Sequence, residues 1–213
     1  MTYIYRILPA IASGMFATIE IFIVTLCLSI PLGLVVALGR LSTVKIINRV
    51  IQFYILIMRG TPLLLQLVFV FFGLPYVGIT LDRKTAALLA LTLNYAAYFA
   101  EIFRGGIDSI NQGQYEAAMV LGFSKYRTIQ RIILPQVFKV VLPSVGNEVI
   151  TLVKDTSLVY VVGLGELLRA GKIAANRDAS LLPLVAVGMV YLILISILTE
   201  VFKGLERKYS YYR

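Results

Sequence analysis

Long apolar runs, separated by short polar connections, decide what this chain can fold into. The first extends from about Ser13 to Leu38 and carries a single charge, Glu20. Runs of roughly 18 or more apolar residues are candidates to cross a bilayer, where the backbone must satisfy its own hydrogen bonds and a helix does so within one segment. Later runs cover about Thr61–Tyr76, Thr85–Phe103, Gln136–Val153 and Leu181–Phe202. Five membrane-spanning helices and an all-α polytopic fold follow. Hydrophobic residues make up 59% of the chain and charged ones 15%, against about 45–50% and 25% in soluble domains.

Between these runs the sequence changes character. Val44–Met58 mixes Lys45, Asn48, Arg49 and Gln52 with Ile, Val and Phe, as a helix lying partly along the interface would. Pro31 and Gly33 predict a bend in the first span. Lys154–Ser180 is a mixed connection, apolar over Leu158–Leu168, expected as a re-entrant or interfacial helix. With no repeat, low-complexity tract or linker, one membrane domain spanning 1–213 is the simplest division. The N-terminal region, with Arg6 alone before its first polar break, is not expected to be a cleaved signal peptide.

Composition removes several kinds of chemistry. There is no His, and Cys27 is the single Cys, so no intrachain disulfide, His-based zinc site or His general base is available. Cys27 reads as a small hydrophobe that is buried or faces lipid. The net charge of +9 fits basic loops on the cytoplasmic side better than nucleic-acid binding. With the N-terminus outside, 13 of the 20 Lys and Arg fall on the inner face and 7, Arg6, Arg83, Lys84, Lys154, Arg169, Lys172 and Arg177, on the outer. That asymmetry predicts a cytoplasmic C-terminus.

The polar connection at about 113–135 must then lie in water on the inner side. Tyr115 to Leu121 lacks any helix breaker. Gly122 can take the left-handed conformation that ends a helix, and Ser124 can cap the next one, which Pro135 is expected to interrupt. The outcome is a knuckle of two short helices carrying Lys125, Arg127 and Arg131.

Charges near the bilayer centre cost roughly 2.5–3.5 kcal/mol each, so acids and amides within the spans are functional candidates. Asn94 and Glu101 are seven residues apart and share a helix face, as do Glu148 and Asp155. Two readings stand for each pair. Glu101 either pairs with Arg104 or faces a pathway with Asn94. Asp155 either neutralises Lys154 or, with Thr156 and Ser157, offers hydrogen bonds to a small polar solute. Glu20 and Glu200 have no assigned role.

Glu116-Ala117-Ala118, Gly122 and Ile132-x-Leu134-Pro135 resemble the EAA signature of ABC importer membrane subunits. Asn94 to Ile107, Arg59-Gly60-Thr61-Pro62-Leu63 and Lys154-Asp155-Thr156-Ser157-Leu158 resemble its polar amino-acid uptake branch. The resemblance covers nearly all of the chain from Ser13, with nothing diagnostic over Ala170–Ser180. It implies a type I importer permease in a bacterial inner membrane. Its knuckle would be a coupling helix in which Tyr115, Glu116, Ala117, Ala118, Leu121, Gly122 and Arg127 meet an ATPase. It also implies two such ATPases binding ATP and magnesium, a second permease subunit, and an extracytoplasmic amino-acid-binding protein. Asn94, Glu101 and Asp155 would line an intramembrane site, with no cofactor and no catalytic residue in this chain. Gly165-x5-Gly171-Lys172-Ile173 is one residue too long for a phosphate loop and has Ile where Ser or Thr should meet magnesium. A self-powered secondary transporter would be expected to show repeats and paired broken helices. An intramembrane enzyme would need a second carboxylate block beside Gly163-Leu164-Gly165-Glu166.

Overall fold

The computed structural model describes residues 2–209, with side chains from Ile7 onward, so the Arg6 side chain and Arg213 lie outside the described residues. Every regular element in that range is helical. In order they are α1 (Thr2–Arg40), α2 (Lys45–Gly60), α3 (Leu63–Val68), α4 (Arg83–Asp108), α5 (Gln112–Val120), α6 (Lys125–Thr128), α7 (Leu134–Asp155), α8 (Leu167–Asp178) and α9 (Leu182–Tyr209). A π turn (Phe69–Gly73) and a 3-10 turn (Leu74–Val77) prolong α3. A second π turn (Ile129–Ile133) joins α6 to α7, and a 3-10 segment (Thr156–Val162) follows α7.

Four continuous stretches are long and apolar enough to cross a membrane: Ile7–Arg40, Arg83–Asp108, Lys125–Val162 and Leu182–Tyr209. The fifth is a broken pair, α2 with Leu63–Val77, bent by 105°. The expected span at Thr61–Tyr76 is therefore one arm of that pair. About 15 residues of helix reach only some 22 Å, less than the roughly 30 Å hydrocarbon core. The break follows from Pro62, which disfavours helical geometry at the residue before it; Thr61 is extended, φ −121° and ψ 149°.

The bundle is arranged around α4. Of its most apolar stretch 61% is buried, against 11% for α9. Ala86, Ala87, Ala90, Ala96, Ala97 and Ala100 give α4 a small-residue surface that neighbouring backbones can approach, the usual basis of helix association where lipid removes the hydrophobic drive. Alongside runs α1, parallel to α4, with Glu20 paired to Lys84 near one end and Gly33 against Phe99 farther along. A Cβ on Gly33 would lie 2.7 Å from that of Phe99. Through Pro31 and Gly33, where a bend is expected, α1 runs unbroken, and Gly33 serves close approach.

Pro135 likewise interrupts nothing. It falls in the first turn of α7, directly after the Ile129–Ile133 π turn. That wider turn gives the proline ring room against the preceding carbonyls. Beyond α7 the helical part of the connection is displaced from the expected Leu158–Leu168. Left-handed Gly163 (φ +80°) ends the 3-10 segment, and the more polar α8 follows.

Glu166 caps α8 and is fully buried. Its carboxylate accepts from the Leu168 and Arg169 amides, each at 2.6 Å, and from the Tyr191 hydroxyl at 3.2 Å. The Leu167 amide donates to Thr18 Oγ1 at 3.1 Å. One cap thus ties α8 to α1 and α9. Burial pushes the Glu166 carboxyl above its ordinary value. These contacts also fill the helix start that a phosphate loop would leave open, and Lys172 lies over the Tyr160 ring instead, 4.2 Å from its centre.

Candidate functional site

A cavity of about 460 Å³ opens where the broken span meets α4 and α7. From the break come Arg59, Gly60, Thr61, Pro62 and Leu63; α4 contributes Asn94, Tyr95 and Tyr98; α7 contributes Glu148, Thr151 and Asp155. The α7 residues stand at i, i+3 and i+7, one stripe of a helix. Such a volume suits a small molecule.

Extended backbone at the break frees carbonyls that lipid could not satisfy. Two amides meet them. Asn94 Nδ2 donates to the Met58 carbonyl at 2.8 Å and to Gln66 Oε1 at 3.0 Å. Gln66 Nε2 donates to the same carbonyl at 2.9 Å and to Thr61 Oγ1 at 2.8 Å. Asn94 therefore both lines the cavity and holds the break in place, its amide hydrogens committed to that second task.

Charge in the cavity is unbalanced. Asp155 Oδ2 accepts from the Tyr95 hydroxyl at 2.8 Å. Arg59 lies over the Tyr98 ring, 5.1 Å from its centre. With Glu148, the lining holds two carboxylates and one guanidinium.

Of the five side chains expected at a solute site, the structure brings Asn94 and Asp155 together. Glu101 lines a neighbouring cavity and is held by Arg104, at 3.1 Å to Nε and 2.8 Å to Nη2. Thr156 is fully buried and its hydroxyl donates to the Val153 carbonyl at 2.7 Å. Ser157 lines a separate apolar cleft with Lys154, Leu168 and Tyr191. Absent from that set were Arg59, Tyr95, Tyr98, Glu148 and Thr151. Periodicity carried the signal for most of them: Tyr98 falls one turn from Asn94, and Thr151 falls between the two α7 acids. Arg59 required knowing that the chain turns sharply beside it.

The knuckle takes the expected shape. Left-handed Gly122 (φ +77°) follows α5, and Ser124 caps α6 by accepting from the Arg127 amide at 3.4 Å. Glu116, Ala117, Leu121, Gly122 and Arg127 are exposed, Ala118 is buried, and Tyr115 packs toward Ile133 and Val137. Apolar side chains project outward here, Val120 at 87% exposure and Leu121 at 74%. A groove of about 240 Å³ lies between Tyr115, Met119, Phe123 and Ile129. The last turns of α9 reach the same end of the bundle, where Tyr209 meets the Phe138 ring at 5.2 Å. Opposite them, Gly163 lies against Arg83. There Asp82 caps α4, its carboxyl held below the usual range by the Thr85 hydroxyl.

Known proteins share this architecture. The arginine transport system permease protein ArtQ of Bacillus subtilis (strain 168) is 41% identical over 94% of this chain and 93% of its own length. The glutamine transport system permease protein GlnP of Escherichia coli (strain K12) is 36% identical over 96% of this chain and 95% of its own. One chain of a crystal structure of an amino acid ABC transporter with histidines superposes with a TM-score of 0.90 at 32% identity, each chain covered to 96%. Residues 29–211 match the family described as binding-protein-dependent transport system inner membrane component. That match covers most of a helical bundle with four or five candidate spans, and the chain belongs to the binding-protein-dependent transport system inner membrane components.

Proposed function

We propose that this chain is the permease subunit of an ATP-driven importer of amino acids, and that the cavity between Arg59, Asn94, Glu148 and Asp155 is where the cargo rests. The observation that carries this reading is the charge inside the spans. Three ionisable side chains on one cavity would be costly to insert without a polar ligand or pathway to justify them. Two carboxylates and one guanidinium leave a net charge of −1, which a cationic amino acid complements: its carboxylate toward Arg59, its two cationic groups toward Glu148 and Asp155. The permease named for arginine transport supports that choice, while the one named for glutamine keeps neutral cargo as the alternative outcome.

No chemistry occurs in this chain. Two partner ATPases bind ATP and magnesium, and their closure moves the knuckle. A conformational switch of this kind needs a partner whose affinity differs between the two states. The exposed Val120 and Leu121, on a knuckle that lies in water, supply a surface for that partner. A second permease subunit completes the pathway, and an extracytoplasmic binding protein delivers cargo at the α8 end. The knuckle and the C-terminus face the cytoplasm, in keeping with the distribution of Lys and Arg.

The test is ATP hydrolysis by the reconstituted complex with its binding protein, measured against a panel of amino acids. Arginine and lysine should stimulate hydrolysis more than glutamine does. Stimulation by glutamine alone would reject the cationic reading, and transport by this chain without any ATPase would reject the importer.

A further inference from the structure

Arg59 and Gly60 line two cavities. The second, of about 390 Å³, is bounded by Arg40, Gln52, Ile55, Leu56 and Glu101 and lies toward the knuckle end. Arg59 and Gly60 therefore lie on the boundary that the two cavities share. The Arg59 guanidinium is held from two sides. Below it is the Tyr98 ring, and Nη1 stands 3.9 Å from Glu101 Oε2. Glu101 is itself fixed: Arg104 grips both of its oxygens, and Arg104 is anchored to Asp108 at 2.7 Å. One partner is thus rigid. The other is a long, half-exposed side chain beside the only broken span among the described residues.

We infer that Glu101, Arg59 and Tyr98 form an inner latch, closing the cargo cavity from the exit cavity, and that cargo leaves when Arg59 swings away from Glu101. This rests on the reading of the first cavity as the cargo site. A contact of 3.9 Å is long for a charge-assisted hydrogen bond, so the latch opens without dismantling a bidentate pair. It also explains why Glu101 is spent on arginines rather than on the cargo cavity. Beyond the latch, Arg40 and Arg59 face a single acid, and a cationic solute is not retained there.

The experiment uses the permease assembled with its partner ATPases in membrane vesicles, nucleotide-free, with Cys27→Ser and Thr151→Cys as reporter. The rate of modification by a membrane-impermeant trimethylammonium methanethiosulfonate is measured from each face. Glu101→Gln should raise the rate from the knuckle face about tenfold and leave the other face unchanged. An unchanged rate, or an equal rise from both faces as a loosened bundle would give, overturns the latch. If Glu101→Gln does not accumulate, Glu101→Asp, shorter by one methylene, should raise the rate about threefold, and no rise overturns it equally. Protection of Thr151→Cys by arginine is a separate readout: its absence with the latch effect intact rejects the cargo site and keeps the gate.

Discussion

Glu148 carries the most specific consequence at the scale of single residues. It sits on the cavity stripe of α7 without a hydrogen bond or a cation within ion-pair distance among the described residues, whereas Asp155 has Tyr95. Glu148→Gln should therefore weaken stimulation by arginine about tenfold, equivalent to roughly 1.4 kcal/mol, with little change for glutamine. The half-maximal concentration in the reconstituted assay checks it. Asn94 makes a different prediction, because its amide supports the break. Asn94→Leu takes donors from the Met58 carbonyl and Gln66, and should cost about 1–3 kcal/mol in detergent-solubilised stability. The shared face of Asn94 with Glu101, and of Glu148 with Asp155, was legible from spacing alone. That Glu101 would turn to Arg104 was visible only as one of two choices, since an i, i+3 pair and a pathway position have the same periodicity. The inward rotation of Thr156 was not legible, because it depends on α7 tightening into a 3-10 segment.

Among the elements, α8 depends on its cap. Glu166→Ala should loosen α8 by about 1 kcal/mol, seen as faster amide exchange at Leu168 and Arg169. The pH dependence has a definite sign. Burial raises the folded pKa of Glu166, so the folded state holds its proton more tightly than the unfolded chain does. Its contribution is complete below its ordinary value of 4.5 and declines as pH rises from there through the folded value. Glu166→Gln should flatten that part of a stability–pH curve measured by thermal unfolding. Sequence punctuation was readable where it acted locally. Gly122 and Ser124 set the knuckle. At Pro135 the same punctuation failed, and at Pro31 the helix runs on unbroken. A proline in a membrane helix ends nothing when neighbouring helices hold the backbone in line or a π turn makes room.

For the whole molecule, the number of spans and the position of the water-exposed knuckle followed from hydropathy, while the cavity did not, because it needs three separate spans to meet. Gly122→Asp should strain a left-handed position and put a charge beside the apolar tip. Insertion should remain intact while cargo-stimulated hydrolysis falls at least tenfold, a loss that a membrane-fractionation blot and the ATPase assay together would reveal. One dimension of the bundle then takes on a mechanical meaning. At 39 residues, α1 extends nearly 60 Å, about twice the hydrocarbon thickness. It is tied to α8 at Thr18, near mid-helix, and to Asn48 at its C-terminal end by Arg40 at 2.7 Å, and the stretch between the two ties is about 33 Å, close to that thickness. A rod pinned at both rims transmits torque between the two aqueous faces, so a shove delivered inside would be felt by whatever is seated outside without any relay of changing bonds along the way.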